Sequence, residues 1–273
     1  MTDAAEPQHW RIAEAAPVLV GGVARSGTTM LADVLNCHPT CAIQPEIPPK
    51  LIELFERFAG EIDDVYAGLD AQRGDVVSTE WRRWRGGLLN ALFLAANKEG
   101  PLSADGPVTH FGVKTPSLEQ FFAFFDRYYT APRPYLVYCM RRPDRVWRSI
   151  KSIGWQTDFD RFFQRYRRSL SFAAGARARS PDRFVVFNLE AHRAAGDLLH
   201  VETVFQRLGL ALTDDDRARI SGLENRNSIV ARGHAYVDDP NLEREMRALM
   251  ADTVIRERWA DLAGVELPAP AVA

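Results

Sequence analysis

Cysteine is scarce in this chain, with three among 273 residues. Cys37 and Cys41 flank His38, but a structural zinc site takes four ligands and no second Cys/His cluster follows. Free thiols and no metal are therefore expected. Long apolar runs are missing too: none approaches the roughly 18 residues of a membrane helix. The first residues, MTDAAEPQHWRIAEAAP, have neither the basic start nor the apolar middle of a signal peptide, so a cytoplasmic location is expected. No sign of charge dominates, because 34 basic and 36 acidic residues leave a formal net charge of −2. The whole-molecule field implies neither nucleic acid nor an anionic membrane, and any anion site must be local. Lysine is rare, limited to Lys50, Lys98, Lys114 and Lys151; the other basic residues are arginines.

What is present is a large apolar fraction, 46% of the residues, enough for one large core or two small domains. Residues 17–22 form a short apolar run ending in Gly-Gly and read as a buried strand. Met30, Leu31, Val34 and Leu35 then fall at helical spacing, and Pro39 ends that helix. PEIPPK (45–50) is a proline-punctuated loop, Leu51 to Phe58 reads as a helix, and a polar Gly/Asp stretch follows. Ser78 or Thr79 is the start signal for a helix running to about Lys98. THFGVKTP contains a short strand stopped by Pro116, and Ser117 is placed to cap the helix SLEQFFAFFDRYY. PYLVYCM (134–140) and RFVVFNLE (183–190) are further buried strands. RPDRVWRSIKSI, Phe159–Arg179, HVETVFQRLGL and Leu242–Trp259 read as helices. Strands alternating with helices imply a parallel sheet covered on both faces. The expectation is a single α/β domain over residues 1–273, with helical insertions at about 50–105 and flexible tails.

One segment carries chemistry at once. Gly22-Val-Ala-Arg-Ser-Gly27-Thr28-Thr29 has the G-x-x-x-x-G spacing of a phosphate-binding P-loop between a strand and a helix. The lysine that reaches the β- and γ-phosphates of a nucleoside triphosphate is missing, and Thr28 stands in its place. Positive charge lies inside the loop instead, at Arg25. Backbone N–H groups at a helix N-terminus still suit an anion, and the hydroxyls of Ser26, Thr28 and Thr29 add donors.

On these residues the chain resembles sulfotransferases that use 3′-phosphoadenosine 5′-phosphosulfate (PAPS). RSGTT followed by His38-Pro39 is similar to that family's 5′-phosphosulfate loop, above all in its bacterial and tyrosylprotein branches. RRPDRVWRS, directly after the strand 134–140, resembles the 3′-phosphate site: Arg141 ends a strand and Ser149 follows eight positions later. Arginine offers a bidentate charge-assisted contact and serine a compact donor. The resemblance implies a P-loop NTPase-like fold and a donor site built from Arg25, Ser26, Gly27, Thr28, Thr29, Arg141 and Ser149. It also implies that PAPS is the co-substrate and that no metal is required.

The catalytic set follows from the same resemblance. Glu46 in IQPEIPP lies 21 positions after Arg25, the distance at which the tyrosylprotein branch carries its catalytic glutamate, and is the candidate base. His110 in THFG is its rival. Lys114 in FGVKTPS resembles the G-x-K-x-P segment, whose lysine approaches the transferring group, and Arg25 is expected to share that work. The sequence departs from the family at Phe187-Asn-Leu-Glu190, where several relatives have a Tyr-Glu pair and only the glutamate persists. Ser228 and Arg232 are weak matches to the loop that covers the nucleotide.

The acceptor is left open among carbohydrate, lipid, peptide and small molecule, bearing a hydroxyl or amine; a homodimer is an allowed assembly. EWRRWRG (80–86) could stack on a sugar or aromatic ring, but the favoured reading is an amphipathic helix with Trp81 and Trp84 on one face and arginines on the other. Two competing functions stand beside sulfuryl transfer. A P-loop kinase would need the missing loop lysine and an acidic magnesium ligand. A non-catalytic nucleotide-binding protein would have kept the cradle and lost the chemistry.

Overall fold

A period of two places the strand before the anion loop in the middle of the molecule. In the computed structural model, Val18 and Val20 of β1 (Ala16–Gly21) are buried on one face of a sheet and Leu19 on the other, as the pleat dictates. The structure describes residues 12, 14–73, 76–96, 107–155, 158–223, 233–235 and 239–268. The other strands are β2 (Cys41–Gln44), β3 (His110–Lys114), β4 (Tyr135–Met140) and β5 (Phe184–Asn188), all parallel in the order β2-β3-β1-β4-β5. Helices cover both faces, which is why these strands read as continuous apolar runs.

One face carries α1 (Thr28–Leu35), through Leu31, Val34 and Leu35. Three more helices follow β1 and β2 in sequence or close the opposite face: α2 (Pro49–Arg73), α3 (Val76–Ala95) and α4 (Phe122–Tyr128), the last entered through a 3-10 turn at Leu118–Phe121. After β4 come α5 (Pro143–Ser152) and α6 (Phe159–Arg179), whose Trp147, Phe162 and Tyr166 are buried with Leu19 and Tyr138. After β5 come α7 (Leu189–Ala195), α8 (Leu199–Leu208) and α9 (Asp214–Ser221); Val201, Val204 and Phe205 of α8 pack on the α1 face. The pair α10 (Leu242–Ala251) and α11 (Thr253–Ala263) completes the layer over α5 and α6. Among the described residues no helix is long and apolar enough to cross a membrane.

Several elements differ from the sequence expectation. β2 lies where none was expected; it is held at the sheet's outer edge by Asn36, whose side chain accepts from Ile43 N (2.6 Å) and donates to Ile43 O (2.9 Å). α2 continues past Phe58 through two glycines because α3 supplies partners: Trp81 stacks on Tyr66 (5.4 Å) and donates to Asp63 (2.8 Å). Such contacts override weak intrinsic propensity. Ser117 makes no side-chain cap; its backbone is left-handed (φ 65°) and its N–H goes elsewhere. Residues 242–259 are two helices, because Asp252 leaves helical geometry, caps Ile255 N (2.8 Å) and pairs with Arg167. In EWRRWRG, Trp81 faces inward while Trp84 is 52% exposed, and Arg85 is buried, donating to the Tyr128 carbonyl. The arginines therefore do not share one solvated face.

Candidate active site

Parallel strands deliver their C-terminal ends to one edge of the sheet, where ligands of open α/β folds bind. Register puts the end of β3, Lys114, beside Val20 of β1, and the end of β4, Met140, beside Asn188 of β5. The anion loop leaves β1 between them. Gly22 (φ 127°) is required there, since a Cβ would stand 2.4 Å from the Cys139 carbonyl and 2.7 Å from Ser26 Oγ. Gly27 (φ 104°) precedes α1, whose N-terminus has no side-chain cap, so the first two helical residues are Thr28 and Thr29. Ser26 Oγ is buried in this turn without a hydrogen-bond partner. A buried hydroxyl of that kind needs a partner, and an anion held by the loop would provide one.

Arg25 is itself left-handed (φ 72°). Its Nε donates to Ser149 Oγ (3.0 Å), and its guanidinium lies 5.7 Å from the ring centre of Trp155, which is 58% exposed. Arg141 donates through Nη1 to the Arg25 carbonyl (3.0 Å). The two motifs, more than a hundred residues apart in sequence, thus meet. Glu190, in the first turn of α7, stands 3.5 Å from Arg141 Nε and 3.6 Å from Arg145 Nε. Arg141, Arg142, Arg145, Arg148, Asp144 and Met246 line a groove of about 240 Å³ at this side of the loop.

On the other side, Lys114 Nζ donates to Glu46 Oε2 (3.3 Å). The lysine side chain is 9% exposed and the glutamate 53%, so the carboxylate is reachable from solvent while its cation is enclosed. Thr115 explains the placement: its hydroxyl donates to Ile47 O (3.0 Å) and accepts from Ile47 N (3.1 Å). The residue after Lys114 thereby clasps the residue after Glu46. Thr115→Val should leave both Ile47 groups unpaired, costing about 1–3 kcal/mol in urea unfolding. It should also lower turnover more than donor affinity.

His110 stands apart from the Lys114–Glu46 pair. It opens β3, four residues before Lys114, so at about 3.3 Å per residue it lies roughly 13 Å away, at the opposite edge of the sheet. There its Nε2 faces the Leu208 carbonyl (3.0 Å), and burial pushes its pKa down. His38 is also structural, its ring lying against Thr40 and the Ala211 carbonyl. Cys41 and Cys139 are buried thiols, Cys41 pushed up to about 12 by burial. Among the described residues no cluster of His, Cys, Asp or Glu is placed to hold a metal. Ser228 and Arg232 lie outside the described residues. Sequence reasoning missed Thr115, the Arg145–Glu190 contact and a buried carboxyl group, Glu119, beneath the loop. Thr115 and Glu119 stand next to motif residues, but no spacing rule marks them.

A family model described as "Sulfotransferase family" matches residues 17–214, well over half of the chain, a span that holds Arg25, Glu46, Lys114, Arg141 and Ser149. The chain belongs to the sulfotransferase family. Solved sulfotransferases share its P-loop NTPase-like α/β fold. The sulfotransferase domain of the Synechococcus PCC 7002 olefin synthase is 16% identical (TM-score 0.51) over 94% of this chain and 90% of that one. The sulfotransferase domain from the curacin biosynthetic pathway is 12% identical (TM-score 0.51) over 93% and 99%. Sulfotransferase STF9 from Mycobacterium avium is 13% identical (TM-score 0.50) over 98% and 81%. No curated protein sequence matches the chain. A sulfotransferase is a transferase, and the edge that gathers Arg25, Glu46, Lys114, Arg141 and Ser149 is its candidate active site.

Proposed function

We propose that this sulfotransferase uses PAPS, transferring its sulfuryl group to an acceptor hydroxyl or amine and releasing adenosine 3′,5′-bisphosphate (PAP), with Glu46 as the base. One observation carries the reading: the anion loop, with the buried unpartnered hydroxyl of Ser26, meets Arg141 and Ser149 through Arg25, while Lys114–Glu46 stands on its other side at the end of β3. A bisphosphorylated nucleoside needs two separated anion sites and no third phosphate pocket, which fits a loop without the P-loop lysine. Ser26, Thr28, Thr29 and Gly27 would hold the 5′ end, and Arg141 and Ser149 the 3′-phosphate, within reach of the arginine-lined groove.

When bound, PAPS supplies the sulfuryl group. Glu46 takes the proton from the acceptor's O–H or N–H, a role for which its exposed carboxylate is accessible. Lys114 and Arg25 neutralise the negative charge that develops on the oxygens being parted. The new bond joins the acceptor atom to sulfur as the sulfur–phosphate oxygen bond breaks, and PAP leaves with the electron pair.

Calorimetry with PAP, ATP and GTP tests the donor. Magnesium-independent binding of PAP, with ATP weak, is expected; magnesium-dependent ATP binding with no response to PAP overturns the proposal in favour of a kinase. A screen of carbohydrate, lipid, peptide and small aromatic acceptors with radiolabelled PAPS then identifies the acceptor class.

A further inference from the structure

We infer that Glu119 is a positioning residue of the donor site: its buried carboxyl group fixes the first glycine of the anion loop and thereby sets the loop's grip on the nucleotide. This rests on reading that loop as the PAPS site. Glu119 is 2% exposed, in the 3-10 turn five residues beyond Lys114. Its Oε2 accepts from Gly22 N (2.8 Å), and its Oε1 accepts from Ser169 Oγ of α6 (2.5 Å), which also meets the Tyr138 hydroxyl of β4 (2.8 Å). The approach needs a glycine at 21 as well, because a Cβ there would stand 2.9 Å from Oε2.

The same turn holds the other backbone group of Gly22. Ser117 N donates to Gly22 O at 2.8 Å, which accounts for the left-handed backbone of Ser117. Gly22 is therefore gripped at its N–H and its C=O by residues two positions apart. Its N–H points into the protein and is not a donor to the anion. Ser26 N is likewise used within the loop, by Val23 O (3.0 Å). The buried carboxyl group thus replaces a ligand contact by an anchor, and the segment 114–119 serves both halves of the site. Lys114 and Thr115 hold the Glu46 loop; Ser117 and Glu119 hold the anion loop.

A charged carboxylate beneath an anion site would oppose the nucleotide. Burial pushes the Glu119 carboxyl group up from its ordinary value, toward the neutral form. When the acid is protonated, its Oε1–H donates to Ser169 Oγ, the reverse of the direction with the charged acid, and Ser169 can then donate to the Tyr138 hydroxyl oxygen. Glutamine reproduces it: the amide oxygen can accept from Gly22 and the amide N–H can donate to Ser169. Methionine fills the volume and does neither.

The test compares wild type, Glu119→Gln, Glu119→Met and Ser169→Ala by PAP calorimetry, thermal unfolding and amide hydrogen exchange of residues 22–29. Glu119→Met should bind PAP at least tenfold more weakly and exchange faster in the loop, and Glu119→Gln should recover most of both losses. Ser169→Ala should fall between them, about threefold weaker. A folded Glu119→Met that binds PAP and exchanges like wild type overturns the inference. If that variant does not fold, Ser169→Ala decides, and unchanged affinity and exchange there overturn it. Failure of wild type to bind PAP would sink the donor assignment alone, because the exchange measurement still reports whether Glu119 sets the loop.

Discussion

Glu46→Gln is expected to lower sulfuryl transfer by about 10²- to 10⁴-fold, the usual contribution of a positioned general base, while leaving PAP affinity near that of wild type. The amide keeps the size of the side chain and still offers Lys114 an oxygen, so the ion pair becomes a hydrogen bond and the lysine keeps a partner at this position. What the amide cannot do is accept the acceptor's proton. Single-turnover transfer from radiolabelled PAPS to an acceptor found by screening measures the effect directly. Turnover equal to wild type would remove Glu46 from the mechanism. A loss in PAP affinity as large as the loss in rate would instead assign it to binding.

Arg141→Ala should have the largest effect on the nucleotide itself. The guanidinium is where β4 ends, holds the Arg25 carbonyl and faces Glu190. Truncation removes a charge-assisted donor and also leaves the carboxylate of Glu190 facing the place of a phosphate. Removing one member of a largely buried charge pair costs about 2–5 kcal/mol, or about 30- to 3,000-fold in Kd. Glu190→Gln added to Arg141→Ala should recover part of the loss, since the two effects are coupled. Arg141→Lys should not restore binding, because a point charge cannot reproduce the fork. PAP titrations of wild type, Arg141→Ala, Glu190→Gln and the double variant supply the cycle, with Arg141→Lys titrated beside them; equal affinity of Arg141→Ala and wild type would take the 3′-phosphate away from this residue.

The parts of the fold legible in the sequence were those whose pattern is local. β1, β4 and β5 announce themselves as short apolar runs, and the helix Phe159–Arg179 has the ends its periodicity suggests. β2 was hidden because its four residues owe their conformation to β3 and to the Asn36 side chain. The length of α2 was hidden because its second half is stabilised by Trp81 from another helix. In the candidate site, the residues that a motif marked, Arg25, Lys114 and Arg141 among them, lie at the one edge of the sheet. His110 shows the opposite case: four residues look adjacent in a sequence, yet a strand makes them the two edges of a sheet. Glu119 was invisible for a different reason. Among the aromatics of SLEQFFAFF it looks like the polar residue of an amphipathic helix, and only the approach of Gly22 turns it inward.

The left-handed backbone of Arg25 has a cost, since such a conformation is worth about 1–2 kcal/mol less than the right-handed one for a residue with a Cβ. Glycine would relieve it, and in doing so would discard the guanidinium. If Arg25 serves turnover as proposed, selection for thermal robustness and selection for turnover pull this position in opposite directions, and a directed-evolution campaign that scored only melting temperature would disarm the enzyme here first.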